Sequence, residues 1–162
     1  SQMIEQARKL AQSHPSREQM RFAVSGRDIA GTMERFTHEA ESLDGVLCSS
    51  VLEYVPDAEQ LLTEFTRVLK PGGMLLISVP NAQSAVRRAQ VGIHKLGRSL
   101  GAGWLPFIEF SRNEYSAAAF ETLLTNHHFR TEKLIVFGSP IPQWLQRKRL
   151  GGSLLMFAAE RA

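Results

Sequence analysis

The segment from Pro56 to Val79 constrains the fold of this 162-residue chain more than any other part of the sequence. Asp57 and Gln60 form a capping box, which predicts that a helix starts here. The apolar face expected for this helix comprises Ala58, Leu61, Leu62, Phe65, Val68 and Leu69. Lys70-Pro71-Gly72-Gly73 should end it, because proline cannot continue the hydrogen-bond ladder and glycine accepts a left-handed conformation. The continuous apolar run Met74–Val79 then predicts a strand that is covered on both faces and central in a sheet.

Helical and strand periodicities alternate along the rest of the chain as well. The predicted elements are a helix with Met3, Ile4, Ala7, Leu10 and Ala11 on its buried face, a strand at Met20–Val24, a weakly helical stretch at Gly31–Ser42, a strand at Asp44–Ser49, a helix capped by Ser111 and Glu114, and strands at Phe129–Phe137 and Ser153–Ala159. Such alternation predicts an α/β fold with a mostly parallel sheet and helices on both faces. The last two strands have no helical pattern between them and are expected to pair antiparallel at one edge.

The composition excludes several classes of protein. With 43% hydrophobic residues the chain is not disordered, and no apolar run reaches the roughly 18 residues of a membrane span. One cysteine, Cys48, excludes disulfide scaffolds and zinc ribbons and is typical of a reducing compartment. The first residues lack the pattern of a signal peptide. We therefore expect a cytoplasmic protein without an integral membrane segment.

Charge is concentrated in one segment. No acidic residue occurs between Pro71 and Ile108, whereas Arg87, Arg88, Lys95 and Arg98 fall in a short stretch of it. The stretch predicts a local basic surface. Nucleic acid is one partner for such a surface, but no helix-turn-helix, zinc-finger or aromatic RNA-binding pattern accompanies it. A solvated helix face is the favoured interpretation, and no nucleic-acid partner is expected.

Ligands of open parallel sheets bind beyond the carboxyl ends of the strands, which directs attention to three short segments. These are Ser25–Ile29, Cys48–Tyr54 and Pro80–Asn81. Asp28 has the chemistry to accept hydrogen bonds from an amine or from a ribose hydroxyl. It is equally consistent with a plain turn residue.

Two stretches of the sequence resemble a known family. The stretches Leu43–Asp57 and Arg67–Asn81 resemble the second half of a class I S-adenosylmethionine-dependent methyltransferase of the type 11/12-like group. Strand four, its helix, the Leu-Lys-Pro-Gly-Gly turn and strand five appear in order, and Ser25-Gly26-Arg27-Asp28 resembles the acidic loop after strand three. The resemblance implies a Rossmann-like doubly wound sheet, S-adenosylmethionine as cofactor and methyl transfer to a small-molecule acceptor.

The resemblance also implies a cofactor site. Asp28 and Ile29 would flank the adenine ring, with Asp28 accepting from the exocyclic amine, and Cys48 and Ser49 would lie by the ribose and methionine part. The alternative for Cys48 is a small buried hydrophobe. Quinone-pathway O-methyltransferases resemble the chain most closely after strand four, where they carry an acid, an acid and a histidine associated with a metal. The matching positions here are Ser50, Glu53 and Tyr54, so only the glutamate is shared and no metal is predicted.

The family's glycine-rich loop and the acid after strand two have no match in these residues. We therefore expect that residues 1–162 form a single methyltransferase-like domain that is the C-terminal portion of a longer enzyme, with the N-terminal strands missing. A basic, lid-like insert at about 82–112 would cover an acceptor, for which an anionic or lipid-like molecule is one candidate. The candidate general bases are Glu53, His94 and Tyr115, each with a structural alternative: local pairing, an exposed helix position and the core, respectively.

Two other functions fit parts of the sequence. A methyltransferase-like domain without catalysis would act as a partner-binding module, and the absent glycine loop favours it if 162 residues are the whole gene product. A dinucleotide or nucleotide-sugar enzyme would use a similar sheet, but the Leu-Lys-Pro-Gly-Gly turn and the antiparallel strand pair argue against that class. The oligomeric state is not predicted.

Overall fold

A computed structural model describes residues 2–20, 36–99, 113–138 and 152–162. The chain divides into two compact units, Ser1–Glu34 and Arg35–Ala162. The described part of the first unit holds helix α1 (Gln2–Ala11) and a short 3-10 turn. Helix α1 is confirmed, but Leu10 is 78% exposed, so its predicted place on a buried face is wrong. The strand predicted at Met20–Val24 lies, from residue 21 onward, outside the described residues.

The second unit contains a four-stranded sheet with helices. Its elements are β1 (Leu43–Cys48), the 3-10 turn Leu52–Tyr54, α2 (Ala58–Val68), β2 (Leu69–Pro80), α3 (Ala85–Ser99), α4 (Ala117–Asn126), β3 (Phe129–Phe137) and β4 (Leu154–Arg161). The strand order is β1-β2-β4-β3. Strands β1 and β2 are parallel, and β4 pairs antiparallel with both β2 and β3. The α/β fold and the C-terminal antiparallel pair are confirmed, and the described sheet is mixed, with one parallel pairing.

Helix α2 begins and ends for local reasons. The Asp57 side chain accepts a hydrogen bond from the Gln60 N–H at 2.9 Å, which confirms the predicted cap. Leu69 already has an extended backbone (φ −73°, ψ 142°), one residue before Lys70, which precedes Pro71 and must itself avoid the helical region. Strand β2 therefore starts at Leu69 rather than at Met74. The residues between them loop out of the pairing with β1, and Gly72 supplies the positive φ of 76° that this loop needs.

The core lies on one face of the sheet, beneath α2 and α4. Leu75, Ile77 and Val79 of β2 are fully buried there, and so are the β4 side chains Leu155, Phe157 and Ala159. The predicted apolar face of α2 is buried throughout. On the opposite face, Leu47, Met74, Leu76 and Ile135 are exposed. The central position predicted for β2 is confirmed, but its predicted burial on both faces is wrong in this structure.

Helix α4 starts later than its sequence indicates. The Ser116 hydroxyl accepts a hydrogen bond from the Ala119 N–H at 3.2 Å, so Ser116 is the N-cap. The predicted box of Ser111 and Glu114 is wrong: Ser111 lies outside the described residues, and the Glu114 carboxylate pairs with Arg87 instead. A long-range ion pair has taken the glutamate that the local pattern assigned to the cap.

The segment before β1 is irregular rather than weakly helical over residues 36–42. Arg67 of α2 holds it by donating hydrogen bonds to the carbonyl oxygens of Phe36 and His38, both at 3.0 Å. The Phe36 ring stacks on Phe65, with centroids 5.8 Å apart. These contacts come from residues about 30 positions away, which local periodicity cannot register.

Candidate functional site

The carboxyl ends of the parallel strands β1 and β2 meet at one edge of the sheet. Ser50, just after β1, has a positive φ of 54°, which is uncommon for a residue with a side chain. Its backbone N–H donates a hydrogen bond of 2.9 Å to Oγ of the buried Ser78 on β2. Ser49 and Ser50 are both exposed. The two strands are thus tied together at an edge where the small side chains of Ser49 and Ser50 are exposed.

The four predicted cofactor residues fall in different environments. Cys48 is buried at 4% exposure and is paired in register with Ile77, on the core face of the sheet. Ser49 is exposed beside it at the carboxyl edge. Asp28 and Ile29 lie outside the described residues. Burial raises the pKa of the Cys48 thiol to about 11, so the thiol is neutral at pH 7 and unsuited to nucleophilic chemistry.

We expect alkylation of Cys48 by iodoacetamide at pH 8 to be slower than that of the urea-unfolded chain by roughly 200-fold. A thiol with a pKa of about 11 holds that much less thiolate at this pH than an ordinary cysteine does, and burial slows access further. Because the pKa is higher in the folded chain, the associated stability is complete below the unfolded pKa of about 8.5 and is lost as pH rises from there through 11. Mass spectrometry of the labelled protein gives the rate. Equal rates in the folded and unfolded chains would refute the burial of this side chain.

Glu53 and Tyr54 form a polar pair in the turn that follows β1. Glu53 is only 6% exposed. Burial raises the pKa of Tyr54, and the charge of Glu53 and a hydrogen bond to its side chain raise it further, while the charge of Arg87 lowers it. The Tyr54 phenol is therefore neutral and donates to the Glu53 carboxylate. A buried carboxylate five residues beyond β1 is chemically able to accept a proton.

The other two candidate bases lie in different surroundings. His94 on α3 is 7% exposed, so its expected position on an exposed helix face is wrong. Tyr115 is half-buried, and its ring lies 5.0 Å from that of Phe120 in α4. Burial, and secondarily the charge of Glu59, raise the pKa of Tyr115. The Tyr115 ring therefore belongs to the packing of α4, which agrees with the core alternative.

The predicted basic surface is wrong at Arg87. Its Nε lies 2.9 Å from Oε1 of Glu114, and the arginine side chain is 7% exposed. Arg88 remains exposed. The side chains of Lys95 and Arg98 lie outside the described residues. One of the four predicted surface cations is thus buried in an ion pair, since α3 turns the side that carries Arg87 toward the protein.

Two asparagines hold backbone segments near this edge of the sheet, and the sequence pointed only to Asn81. Asn113 donates from Nδ2 to the carbonyl oxygens of Leu52 and Val55, at 2.9 and 2.7 Å. Asn81 donates from its Nδ2 to the Gly152 carbonyl oxygen at 2.9 Å. Asn81 had a weak signal, because it follows a strand. Asn113 had none, since its partners are about 60 positions away.

The described residues form neither a candidate metal cluster nor a candidate membrane span. In that part of the chain, no three side chains of histidine, cysteine, aspartate or glutamate gather in a way that could hold a metal ion. Among the same residues, no helix has the length and apolar character needed to cross a membrane.

A mixed sheet with a parallel pair, small residues at its carboxyl edge and a C-terminal antiparallel pair define a Rossmann-like α/β protein of the methyltransferase type. Residues 1–77 match the sequence profile of a family described as a methyltransferase domain. That span includes both segments that resemble the family most strongly, except for the last residues of β2.

One curated relative and two solved structures are similar to the chain. A ubiquinone biosynthesis O-methyltransferase from Xanthomonas oryzae pv. oryzae is 34% identical over 110 residues, which cover 67% of this chain and 44% of that protein. A methyltransferase structure from Methanosarcina mazei, 18% identical, aligns with a TM-score of 0.62 over 99% of this chain and 78% of its own. A Thermotoga maritima structure, titled a possible histamine N-methyltransferase, is 20% identical, with a TM-score of 0.61 and coverages of 82% and 62%.

Residues 1–77 match the methyltransferase-domain family, and the described sheet has the fold of S-adenosylmethionine-dependent methyltransferases. The match to the Xanthomonas relative covers less than half the length of that protein. The structural similarities, at these low identities, establish the fold alone.

Proposed function

We propose that this chain serves methyl transfer from S-adenosylmethionine to a small-molecule acceptor. The observation that carries the proposal is the family match over residues 1–77, which runs into the carboxyl edge formed by β1 and β2. We propose residues 1–162 as a single methyltransferase-like domain in a cytoplasmic protein. The buried, uncharged thiol of Cys48 is compatible with that compartment.

The acceptor atom that we propose is an oxygen. The relative from Xanthomonas is described as an O-methyltransferase and shares 34% identity across 67% of this chain. The pair formed by Glu53 and Tyr54 supports this choice, because a hydroxyl acceptor must lose a proton whereas many amines need no base. We propose Glu53 as the group that takes this proton.

The residues at the carboxyl edge fit the cofactor. The exposed Ser49 and the backbone of Ser50, fixed on Ser78, leave room for a ligand to approach the chain. When bound, S-adenosylmethionine supplies a methyl group that its sulfonium already activates. In this proposal Asp28 and Ile29 hold the adenine, and Ser49 with the backbone of Cys48 lines the ribose and methionine part, since the Cys48 side chain faces the core. The protein then mainly orients the acceptor and excludes water.

The insert (residues 82–112) is proposed as the lid over the acceptor. Both of its ends are held at the carboxyl end of β2: the Tyr115 N–H donates to the Pro80 carbonyl oxygen at 3.1 Å, and the Ala82 N–H donates to the Tyr115 carbonyl oxygen at 2.9 Å. This position is adjacent to the turn that carries Glu53. For an anionic or lipid-like acceptor, the exposed Arg88 is the described cation in the insert with a free surface.

Titration calorimetry with S-adenosylhomocysteine tests the cofactor site. We expect the chain to bind it and the Asp28→Ala variant to bind roughly tenfold to hundredfold more weakly, because a hydrogen bond to a charged acceptor is lost. The control is Asp44→Ala, which removes an exposed aspartate at the start of β1 that pairs with Lys70 at 2.7 Å. Its affinity should equal that of the unaltered chain. Absence of binding by the unaltered chain would contradict the proposal and favour a non-catalytic, partner-binding domain.

A further inference from the structure

The two ends of the insert meet in a polar cluster beside the turn Leu52–Tyr54. Arg87 lies near the start of α3, at the entry to the insert, and Glu114 lies just after its exit. An ion pair of 2.9 Å between their side chains therefore joins the two ends of the insert, in addition to the backbone hydrogen bonds of Tyr115. The arginine is 7% exposed and the glutamate 34%. Removing one partner of such a pair leaves a poorly solvated charge.

The neighbour of Glu114 connects this pair to the turn. The Asn113 amide bonds to the carbonyl oxygens of Leu52 and Val55, which bracket the turn, and the Asn113 N–H donates to the Glu53 carbonyl oxygen at 3.4 Å. Because Asn113 and Glu114 are consecutive, a shift of one moves the other. A short mechanical path thus runs from Arg87 through these two residues to the backbone of Glu53.

Electrostatics support the same proximity. The positive charge of Arg87 lowers the pKa of Tyr54, against the larger effects of burial and of Glu53 that raise it. The guanidinium is therefore close enough to the turn to act on its phenol. A cation that is buried, paired with Glu114 and near the turn is placed to hold this part of the chain rather than to bind an acceptor from solution.

We propose that Arg87 is a positioning residue, which through Glu114 and Asn113 fixes the turn Leu52–Tyr54 and couples the placement of Glu53 to the seating of the insert. This inference rests on the proposed function only for the role of Glu53. The coupling between Arg87 and the turn is a property of the fold and can be measured without an acceptor or a cofactor.

Hydrogen exchange of the chain measures the coupling directly. In Arg87→Met we expect the amides of Tyr54 and Val55, which bond to the carbonyl oxygens of Val51 and Leu52, to exchange roughly tenfold to hundredfold faster. Asn113→Ala should have a similar effect, and Arg87→Lys should restore part of the protection. The matched control is Arg88→Met, which removes an exposed arginine at the next position and should leave the turn unchanged.

The double variant Arg87→Met with Glu114→Gln distinguishes coupling from general loosening. If the pair acts as a unit, the turn exchanges no faster in the double variant than in Arg87→Met alone. Glu114→Gln, at a partly exposed position, keeps the test usable if the arginine variant fails to fold. Faster exchange confined to α3, with the turn as protected as in the unaltered chain, would overturn the proposal.

Measurements of kcat and KM distinguish this inference from the proposed function. With the probe 3,4-dihydroxybenzoate and labelled S-adenosylmethionine, Arg87→Met should lower kcat for O-methylation while leaving S-adenosylhomocysteine affinity unchanged. A raised KM with unchanged kcat would instead identify Arg87 as an acceptor-binding group and reject the positioning role. If the unaltered chain neither methylates the probe nor binds S-adenosylhomocysteine, the proposed function fails, whereas the exchange result still decides the coupling.

Discussion

Replacing Phe120 by alanine is expected to lower the free energy of unfolding by about 3–5 kcal/mol. Phe120 in α4 has no exposed surface, and its ring packs between those of Tyr115 and Phe157, each at a centroid distance of 5.0 Å. The truncation removes both ring contacts and leaves a cavity between α4 and β4. Urea denaturation followed by circular dichroism measures the change.

Two further variants serve as controls for the Phe120→Ala measurement. Thr122→Ala alters an exposed position on the same helix and should change stability by less than about 0.5 kcal/mol. Phe120→Leu retains most of the apolar volume, so it should fall between the alanine variant and the unaltered chain, and it serves if the alanine variant does not fold. A loss below about 1 kcal/mol for Phe120→Ala would mean that α4 is not packed on β4 as described.

Changing Asn81 to aspartate should destabilise the fold by about 2–4 kcal/mol at pH 7. Asn81 is 1% exposed and donates to the Gly152 carbonyl oxygen at 2.9 Å, while its own side-chain oxygen accepts from the Gln83 N–H at 3.0 Å. An ionised aspartate keeps the second hydrogen bond, but it places a negative charge against the Gly152 oxygen. Burial and this repulsion raise the folded-state pKa of the new carboxyl above its unfolded value.

The sign of the pH dependence follows from that raised pKa. The protonated form can donate to Gly152, so the penalty of Asn81→Asp should be smallest below about pH 4 and should grow as pH rises through the folded pKa. Thermal unfolding of the variant and of the unaltered chain from pH 4 to pH 8 measures the difference. Asn126→Asp, at an exposed amide, is the control. A pH-independent difference would show that the Asn81 amide does not donate to the Gly152 carbonyl oxygen, two residues before β4.

Local signals predicted the run from β1 to β2 correctly. The aspartate cap of α2, the apolar spacing of its buried face and the proline after it act within a few residues, so the chain itself carries them. The boundary at Leu69 was missed by five residues, because a strand can accommodate a looped-out segment once Leu43 is available as its partner. The antiparallel pairing of the last strands was also predictable, since no helical pattern separates them.

Predictions from the sequence failed where a side chain distant in the chain pairs with the residues concerned and overrides their local preference. Glu114 fits a helix cap by spacing, but Arg87 of α3 takes it, and Ser116 caps α4 instead. Residues 36–42 show weak helical character, yet Arg67 holds them in an irregular conformation. A tertiary ion pair or hydrogen bond to a charged group is worth more than a weak local preference.

The same difference between local signals and long-range contacts applies to the candidate site. From residue pattern and resemblance alone, the sequence indicated a resemblance to methyltransferases, the position of Cys48 and Ser49 at a strand end, and Glu53 as a candidate base. Only the tertiary structure decided that Cys48 faces the core, that Arg87 is buried on Glu114, and that Asn113 holds the turn beneath Glu53. The reason is physical: spacing along the chain sets which residues share a face, whereas burial and long-range pairing depend on what packs against that face.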